Sequence, residues 1–559
     1  MNSDSGPFIV PVLYSELFGT KPSRADLTQT IALLDWRSVV TFAAGISSIS
    51  WQRGVEDIAH QQDLAANMLS GLDYGGRLLA MMTTEPSRRI FTREGLFGIV
   101  RIALEEQAVL EQLCPNAQDV FVTALLMANE IISDELLPIS ITHTAADLTK
   151  SEVRSQVMKL QNPHDLLART EAFMRWSETA DGQRSKNHLP VAADLCRFSG
   201  LTWREYAACA YVILSRYASL TTWEAVEREK IFFDPEFWMQ DLQDRGPLTK
   251  WLQYNKIDLQ VLAATWRQQE SISLASAGLL MRAPLVEAEG ALFAPSPSLL
   301  VNAMGEGAYF ALFDAYGCET GDSTKKLQLS RFYGDFFEAY ITDLLERSYA
   351  QRSGAKVYLD FDYVGGNSTD VILVENGDVL FVEIVAKRLN FVESVLKLDE
   401  AAILTDIAAG VVKKMCELHK HIENFRSGKL LPDLPRSAGQ RIFPIIVSPN
   451  EWPRIRIIAE TIPRLQESKG LLVSVEPIEL VDAGEIESLE NDLRNGLRLG
   501  DLLKRKNSST LQNRMMTLNN YLYYVEPGTT KDAISPTRQR GGEVAQEIGT
   551  LAMSWFVQQ

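Results

Sequence analysis

The Asn376-Gly377 dipeptide between two apolar runs is the feature that most constrains the fold of this 559-residue chain. Asn-Gly favours a two-residue β-hairpin turn, because both of its positions adopt positive φ at little cost. That turn sets a register in which Asp370 on one strand opposes Glu383 on the next. Directly opposed residues project from one face, with Cβ atoms about 4.5–5.5 Å apart. The hairpin alone therefore predicts two carboxylates side by side.

Such a pair of like charges is costly in a protein interior. Glu383 lies in the run 379–386, which is apolar on both faces and typical of a central strand. Opposed carboxylates in a low-dielectric site repel each other unless a cation or a shared proton compensates. Lys387 is four residues beyond Glu383, hence on the same face, and its flexible stem can reach back. Glu338, in a helix predicted over 332–349, offers a third carboxylate.

Carboxylates and a lysine on adjacent strands beside a helix suit metal-assisted hydrolysis of a phosphodiester. Oxygen ligands favour Mg²⁺ or Mn²⁺, and the metal stabilises developing charge and lowers the pKa of the attacking water. The pattern predicts that Asp370 and Glu383 hold the metal. Glu338 is expected to complete the metal shell or orient water. Lys387 is expected to activate water or stabilise the leaving charge.

The order of predicted elements indicates several domains. Helical periodicity dominates as far as residue 280, whereas residues 326–480 read as helix, three strands, helix and strand, with a further strand at 471–475. We therefore predict an α-helical N-terminal region and a C-terminal α/β domain with a mixed sheet. The predicted segments are a helical domain at 1–280, a hairpin-helix connector at 281–325, the α/β domain at 326–480 and a helical extension at 481–559.

The αβββαβ order, with Glu338 in the first helix, Asp370 on the second strand and Glu383 on the third, resembles the PD-(D/E)XK nuclease superfamily. Members share the restriction-endonuclease-like fold, and the resemblance covers roughly residues 330–480. It implies a metal-dependent nuclease, with Mg²⁺ bound by Asp370, Glu383 and the main-chain carbonyl of Ile384. It also implies a role in bacterial antiviral defence or DNA processing.

The chain departs from the family motif at its lysine, because that position is Val385. Lys387 would have to substitute from one pleat further on, or a lysine would have to enter from the helical side. The helical candidates are Lys397, Lys413 and Lys414. The loss of the motif lysine also favours two alternatives: a catalytically inactive relative that binds nucleic acid or a protein, and a helical scaffold whose α/β domain is purely structural.

Charge is distributed unevenly along the chain, whose net charge is −17. Residues 1–324 hold 26 basic and 40 acidic side chains, which favours a protein partner or self-association over contact with nucleic acid. Residues 411–456 hold nine basic and four acidic side chains. We expect nucleic acid, DNA rather than RNA, to contact this segment through Lys413, Lys414 and Lys420.

Other features narrow the class of protein. The five cysteines lie far apart without a C-x-x-C pair, which excludes a disulfide scaffold and a zinc ribbon. No apolar run reaches the ~18–20 residues that a membrane span needs, and the first residues lack the basic start of a secretory signal. We expect a cytoplasmic protein without a membrane partner. There is also no G-x-x-x-x-G-K-[ST] phosphate loop.

Overall fold

The computed structural model shows a mixed α/β protein in which helices predominate. It describes residues 10–51, 58–85, 88–110, 114–136, 162–222, 225–226, 231–269, 271–272, 277–320, 324–350, 352–363, 366–390, 393–394, 399–436, 439–454, 457–526, 528 and 534–556. Of the candidate site residues, Lys397 lies outside these ranges. None of the helices in the described ranges is long and apolar enough to cross a membrane.

The chain forms two compact units, and neither is continuous in sequence. The first comprises Met1–Ile141, Ala192–Ala315 and Gln546–Gln559, and the second comprises Thr142–Val191 and Tyr316–Ala545. These units cut across the four predicted segments. A stretch of the predicted helical domain belongs with the α/β domain, and so does most of the predicted C-terminal extension.

The first unit consists of helices, a three-stranded sheet and a two-stranded sheet. The strands are Val10–Pro11 paired with Arg88–Arg89, and Lys256–Asp258, Leu285–Ala288 and Ala291–Phe293 in that order. The helices are Tyr14–Phe18, Arg24–Ile31, Trp36–Trp51, Ile58–Leu69, Gly75–Thr84, Arg93–Glu106, Ala117–Leu136, Val191–Ser199, Trp203–Ala218, Pro235–Trp238, Met239–Asp241 (3₁₀), Gly246–Tyr254, Leu259–Trp266, Gly278–Arg282, Pro297–Gly305 and Gly307–Thr320.

Three helix ends in this unit follow signals that are visible in the sequence. Ser23 and Thr202 each cap a helix through a reciprocal capping box with the acidic residue three positions on. Gly200 ends the helix Val191–Ser199 with a φ of 68°, a conformation that glycine adopts without steric cost.

The second unit carries the candidate site. Its helices are α1 Pro163–Trp176, α2 Ala180–Arg184, α3 Thr324–Tyr349, α4 Glu400–Ile407, α5 Lys413–Arg426, α6 Ile462–Lys469, α7 Ala483–Arg494, α8 Leu499–Asn507, α9 Leu511–Met515, α10 Leu518–Tyr524 and α11 Pro536–Met553, the last of which runs on into the first unit. Its strands are β1 Ala355–Leu359, β2 Asp362–Tyr363, β3 Gly366–Asn367, β4 Val371–Glu375, β5 Asp378–Ile384, β6 Ile442–Ser448 and β7 Glu479–Asp482.

Five of these strands form a mixed sheet in the order β7-β6-β5-β4-β1. β1, β4 and β5 are antiparallel neighbours, whereas β5, β6 and β7 run parallel. Asn376 and Gly377 have φ values of 49° and 94°, as the predicted turn requires, and the ladder pairs Val371 with Val382 in the predicted register. Asp370 directly precedes β4 and extends that register toward Glu383.

The predicted strand at 471–475 is wrong. Leu472 and Ser474 both have positive φ, 54° and 62°, so the chain turns there instead of extending. The apolar side chains that suggested a strand serve the core, because Leu471 and Leu472 are both buried. The next strand of the sheet is β7, a few residues further on.

Helices α4 and α5 cover one face of the sheet. Phe381 and Val385 of the central strand segment pack there against Met415, Leu418 and other apolar residues of these helices. Because side chains alternate along a strand, Glu383 lies on this same face, between Phe381 and Val385. The sheet therefore directs a carboxylate into the interface with α5.

Buried ion pairs fasten α1, α7 and α11 to the unit. Arg169 on α1 contacts both carboxylate oxygens of Glu487 on α7, at 2.9 and 2.7 Å, and Tyr340 of α3 donates to the same carboxylate. Arg538 of α11 pairs with Asp165 of α1 at 3.1 Å. Bidentate arginine contacts of this kind fix geometry as well as adding energy. They explain why residues 163–176 pack with the α/β domain.

We predict that Gly541→Ala destabilises the second unit, whereas Gly542→Ala does not. A Cβ at Gly541 would overlap the main-chain carbonyl of His164 on α1, whereas a Cβ at Gly542 would meet nothing within 4 Å. Overpacking costs about 1–3 kcal/mol or more, and alanine at an open helix position gains up to about 1 kcal/mol over glycine. Urea unfolding of the two variants measures the difference. Equal stabilities would contradict this close approach of α11 and α1.

Candidate active site

The hairpin places Asp370 and Glu383 together on the face of the sheet covered by α5. Glu383 is buried, with 2% of its surface exposed, and the side chain of Asp370 is 16% exposed. The Ile384 amide donates to Asp370 Oδ2 at 2.6 Å, which ties the end of β5 to the start of β4. The predicted juxtaposition of the two carboxylates is thus present in the structure.

Lys414 of α5 is the cation that meets both carboxylates. Its Nζ lies 2.7 Å from Glu383 Oε2 and 3.6 Å from Asp370 Oδ2, with Glu417 Oε2 at 3.1 Å. The ammonium group thus reaches the carboxylates from the helix that covers this face, not from the strand. Val385, at the motif-lysine position, is part of the apolar core on the same face.

The structure does not bring Lys387 to the two carboxylates. Its Nζ lies 3.0 Å from Asp406 Oδ1 on α4, and Asp406 Oδ2 also accepts from the Ser394 hydroxyl at 2.6 Å. β5 ends at Ile384, so the strict alternation that would aim Lys387 at the site stops before it. Lys387 therefore fastens the segment after β5 to α4.

A π-helical turn, Ala408–Val412, separates α4 from α5 and ends two residues before Lys414. Gly410 in this turn faces the Trp452 ring, and a Cβ there would lie 2.6 Å from the ring. Such turns change the angular phase of a helix and occur often at functional sites. Beyond the turn, Lys414, Glu417 and His421 follow one another on a single face, spaced as i, i+3 and i+7.

His421 is a site residue that the sequence analysis missed. Its Nε2 lies 3.7 Å from Glu383 Oε1, on the side of that carboxylate away from Lys414, and its ring meets the Tyr363 ring edge-on. Burial and the charge of Lys420 lower the pKa of His421, which keeps the ring neutral at pH 7. The i+7 spacing from Lys414 is the only sequence signal that could have found it.

Glu338 lies on α3, near the mouth of the site. Gly334, one turn earlier, faces the chain after β5: a Cβ there would lie 3.5 Å from Ala386 Cβ, an ordinary van der Waals contact. Although the Glu338 side chain is among the exposed ones, crowding by surrounding protein and repulsion from Asp370 raise the pKa of its carboxyl to about 7. The same two causes raise the pKa of Asp360, which follows β1.

The charged groups at the centre of the site shift one another's pKa values. Burial and then the charge of Asp370 raise the pKa of Glu383 to about 7, although Lys414 opposes the shift. Burial acts to lower the pKa of Lys414, but the charges of Glu383 and Asp370 outweigh it and raise that pKa. Lys414 is therefore an ammonium ion at neutral pH.

The oxygen donors of the site fit a magnesium ion better than a metal ion whose ligands all come from the protein. Within the described ranges, no group of three or more His, Cys, Asp and Glu side chains is arranged to hold a metal ion. Mg²⁺ needs fewer, because it keeps several waters and binds one or two carboxylates together with substrate phosphate. Asp370 and Glu383 form such a pair, with the His421 ring nitrogen 3.7 Å from Glu383 Oε1.

The main-chain carbonyl of Ile384 points to the side of β5 on which Asp370 lies. In a strand, the N–H and C=O groups of one residue point to the same side, and the Ile384 amide points at Asp370. The Val385 amide points to the other side, where it donates to Val447 O at 2.8 Å. A metal contact by this main-chain oxygen, which the family resemblance implies, stays a prediction.

The three lysines predicted to contact nucleic acid differ in position. Lys414 belongs to the centre of the site, as described above. Lys413 is on the surface, with 70% of its side chain exposed and only a loose ion pair, 3.8 Å, to Glu417. Lys420 is exposed as well, and its Nζ lies beside Gly366 of the β2–β3 hairpin. Contact with nucleic acid stays a prediction for Lys413 and Lys420.

No protein-family model, curated protein or solved structure significantly matches this chain. Its function is therefore inferred from the residues and geometry of the second unit.

We predict that Glu383→Gln becomes more stable relative to the wild type as pH rises from 5 to 8. The pKa of Glu383 is about 7 in the folded protein, above its value of about 4.5 when exposed. The folded state therefore binds more protons than the unfolded state between these values, and wild-type stability falls as pH rises through them. At 1.36 kcal/mol per pH unit the difference is at most about 3 kcal/mol.

Urea unfolding at several pH values measures this difference. Glu423→Gln is the matched control, since Glu423 lies on α5, the helix that covers Glu383, with half of its side chain exposed. Its stability relative to the wild type should vary little with pH. A pH-independent difference for Glu383→Gln would show that the buried carboxylate does not titrate in this range.

Proposed function

We propose that the second unit is a metal-dependent nuclease domain of the PD-(D/E)XK kind, which hydrolyses phosphodiester bonds in DNA. The observation that carries this proposal is the contact of Lys414 with both Asp370 and Glu383. It supplies the cation that the motif position, Val385, lacks. The strand order β7-β6-β5-β4-β1 and the helix α3 before it support the same fold assignment.

Asp370, Glu383 and the carbonyl of Ile384 would hold Mg²⁺ or Mn²⁺. The bound metal would polarise the scissile phosphate and lower the pKa of a coordinated water. Asp370 retains partial exposure, so a cation and a phosphate can approach from solvent.

Lys414 stabilises negative charge in this proposal; it does not accept a proton. Its neighbouring carboxylates keep it charged, so it has no free lone pair at neutral pH. An ammonium group near the position where charge develops stabilises the transition state more than the ground state. Glu338, at the mouth of the site, orients the attacking water.

A second candidate function is binding of nucleic acid without cleavage. The observation that favours it is again Lys414, because its 2.7 Å contact already compensates part of the charge of Glu383 and reduces the need for a metal. The two proposals differ in whether a divalent cation displaces this contact.

We expect the full chain to cleave DNA with Mg²⁺ or Mn²⁺ and to lose that activity with EDTA. Asp370→Asn and Glu383→Gln should lower kcat at least about 100-fold, as expected when a metal ligand or its partner is lost. Lys414→Met should lower kcat by about 100- to 1,000-fold, the cost of removing one preorganised charge-stabilising group.

Lys469→Met is the matched control for Lys414→Met. It removes an exposed lysine from α6 of the same unit and should leave kcat unchanged. Circular dichroism and urea unfolding establish that each variant is folded. Tight DNA binding by a folded wild type that never cleaves would select the second function, and neither binding nor cleavage would refute both.

A further inference from the structure

The end of α2 and the loop that follows it, residues 184–188 (the 184–188 loop), are fixed to the helix that carries Glu338. The Ser185 hydroxyl and the side-chain amide of Asn187 both donate to Asp335 Oδ2 on α3. The Asn187 contact spans 3.0 Å. Gln328 of α3 donates to the His188 carbonyl at 3.1 Å. The loop belongs to the second unit, although it comes from the segment predicted as an N-terminal helical domain.

These contacts place the loop one helical turn from Glu338. Asp335 and Glu338 are three residues apart on α3, and such side chains have Cβ atoms about 5–6 Å apart on one helix face. The charge of Asp335 also contributes to the raised pKa of Glu338, which agrees with their proximity. The loop therefore lies beside the turn of α3 that carries Glu338.

Two cationic side chains of the loop face solvent. Lys186 is exposed between the two anchoring residues, Ser185 and Asn187. The side chain of Arg184 is 78% exposed, and its ion pair with Asp181 spans 3.4 Å between two solvent-exposed groups. Exposed pairs of this kind contribute little energy, so Arg184 can exchange this partner for a phosphate.

The acidic centre itself repels a polyanion, so DNA has to be held at the borders of the site. Asp370, Glu383 and Glu417 contact Lys414 there, and the charges of Asp360 and Asp370 repel each other, whereas phosphate contact depends on lysine and arginine. Lys413 and Lys420 supply cations on the α5 border. The loop supplies them on the α3 border.

We propose that Arg184 and Lys186 of the 184–188 loop bind the DNA backbone on the α3 side of the active site. This inference rests on the proposed nuclease function and names the part of the chain that holds the substrate. Each DNA strand advances about 3.4 Å per nucleotide, so the loop contacts phosphates within a few nucleotides of the one at the centre. The anchored main chain holds both cations in place before DNA arrives, which lowers the entropic cost of binding.

The test measures binding of fluorescein-labelled duplex DNA by fluorescence anisotropy in Ca²⁺, over a range of salt concentrations. The full chain carries Asp370→Asn to suppress cleavage, with or without Arg184→Ala and Lys186→Ala together. We expect these two substitutions to weaken binding about 10- to 100-fold. The slope of log K against log salt should fall by about 1–2, since each lost phosphate contact lowers it by about 1.

The single substitution Arg175→Ala is the control for the single substitution Lys186→Ala. Arg175 is also exposed and lies only ten residues before Ser185, but it faces Glu171, which pairs with Arg540 on α11. It should leave the salt slope unchanged. One outcome is that the wild type binds and cleaves DNA while Arg175→Ala and the double loop variant have equal slopes of log K against log salt. That result would overturn this inference and leave the proposed function standing. A wild type that neither binds nor cleaves would instead overturn the proposed function and this inference with it.

Discussion

The contact of one ammonium group with two carboxylates is the interaction on which the site depends. The hairpin forces Asp370 and Glu383 together, and the apolar strand around Glu383 removes water that would screen their repulsion. Without a cation, one of them would have to take up a proton. Lys414 supplies the cation at 2.7 Å, but the contact leaves the pKa of Glu383 raised, so the compensation is incomplete. A buried pair that is only partly compensated favours a functional interpretation over a purely structural one.

The packing of α5 on the sheet holds Lys414 in that position. The π-helical turn sets the phase of α5, and Gly410 in that turn lies against the buried ring of Trp452. Met415 and Leu418 of α5 pack on the sheet, so the helix cannot rotate without disrupting the core. Helix α3, which carries Glu338, is held by the Tyr340 contact to Glu487. Both walls of the site therefore rest on rigid elements, as a site with precise geometry requires.

The sequence was sufficient for what depends on local chemistry. The Asn376-Gly377 turn determines its own register, so the pairing that brings Asp370 beside Glu383 could be read from the chain alone. The capping boxes at Ser23 and Thr202 are local for the same reason. The strand predicted at 471–475 failed because a run of apolar residues reports burial, and the positive φ of Leu472 has no comparable signature.

Long-range contacts were beyond prediction. Lys414 was one of several candidate lysines, and only the packing of α5 on the sheet distinguishes it from Lys413 beside it. His421 was missed because its role follows from the same packing. The contact of the 184–188 loop with α3 joins residues about 150 positions apart, from Ser185 to Asp335, and nothing near either residue indicates it.

A crystal structure with Mn²⁺ bound, located by its anomalous scattering, tests the account most directly. We predict an anomalous peak between the carboxylates of Asp370 and Glu383, with the Ile384 carbonyl among its ligands and the Lys414 ammonium moved away from Glu383 Oε2. An empty site at saturating Mn²⁺, with Lys414 still bonded to Glu383, would show that the lysine replaces the metal. The proposed hydrolytic chemistry would then be excluded.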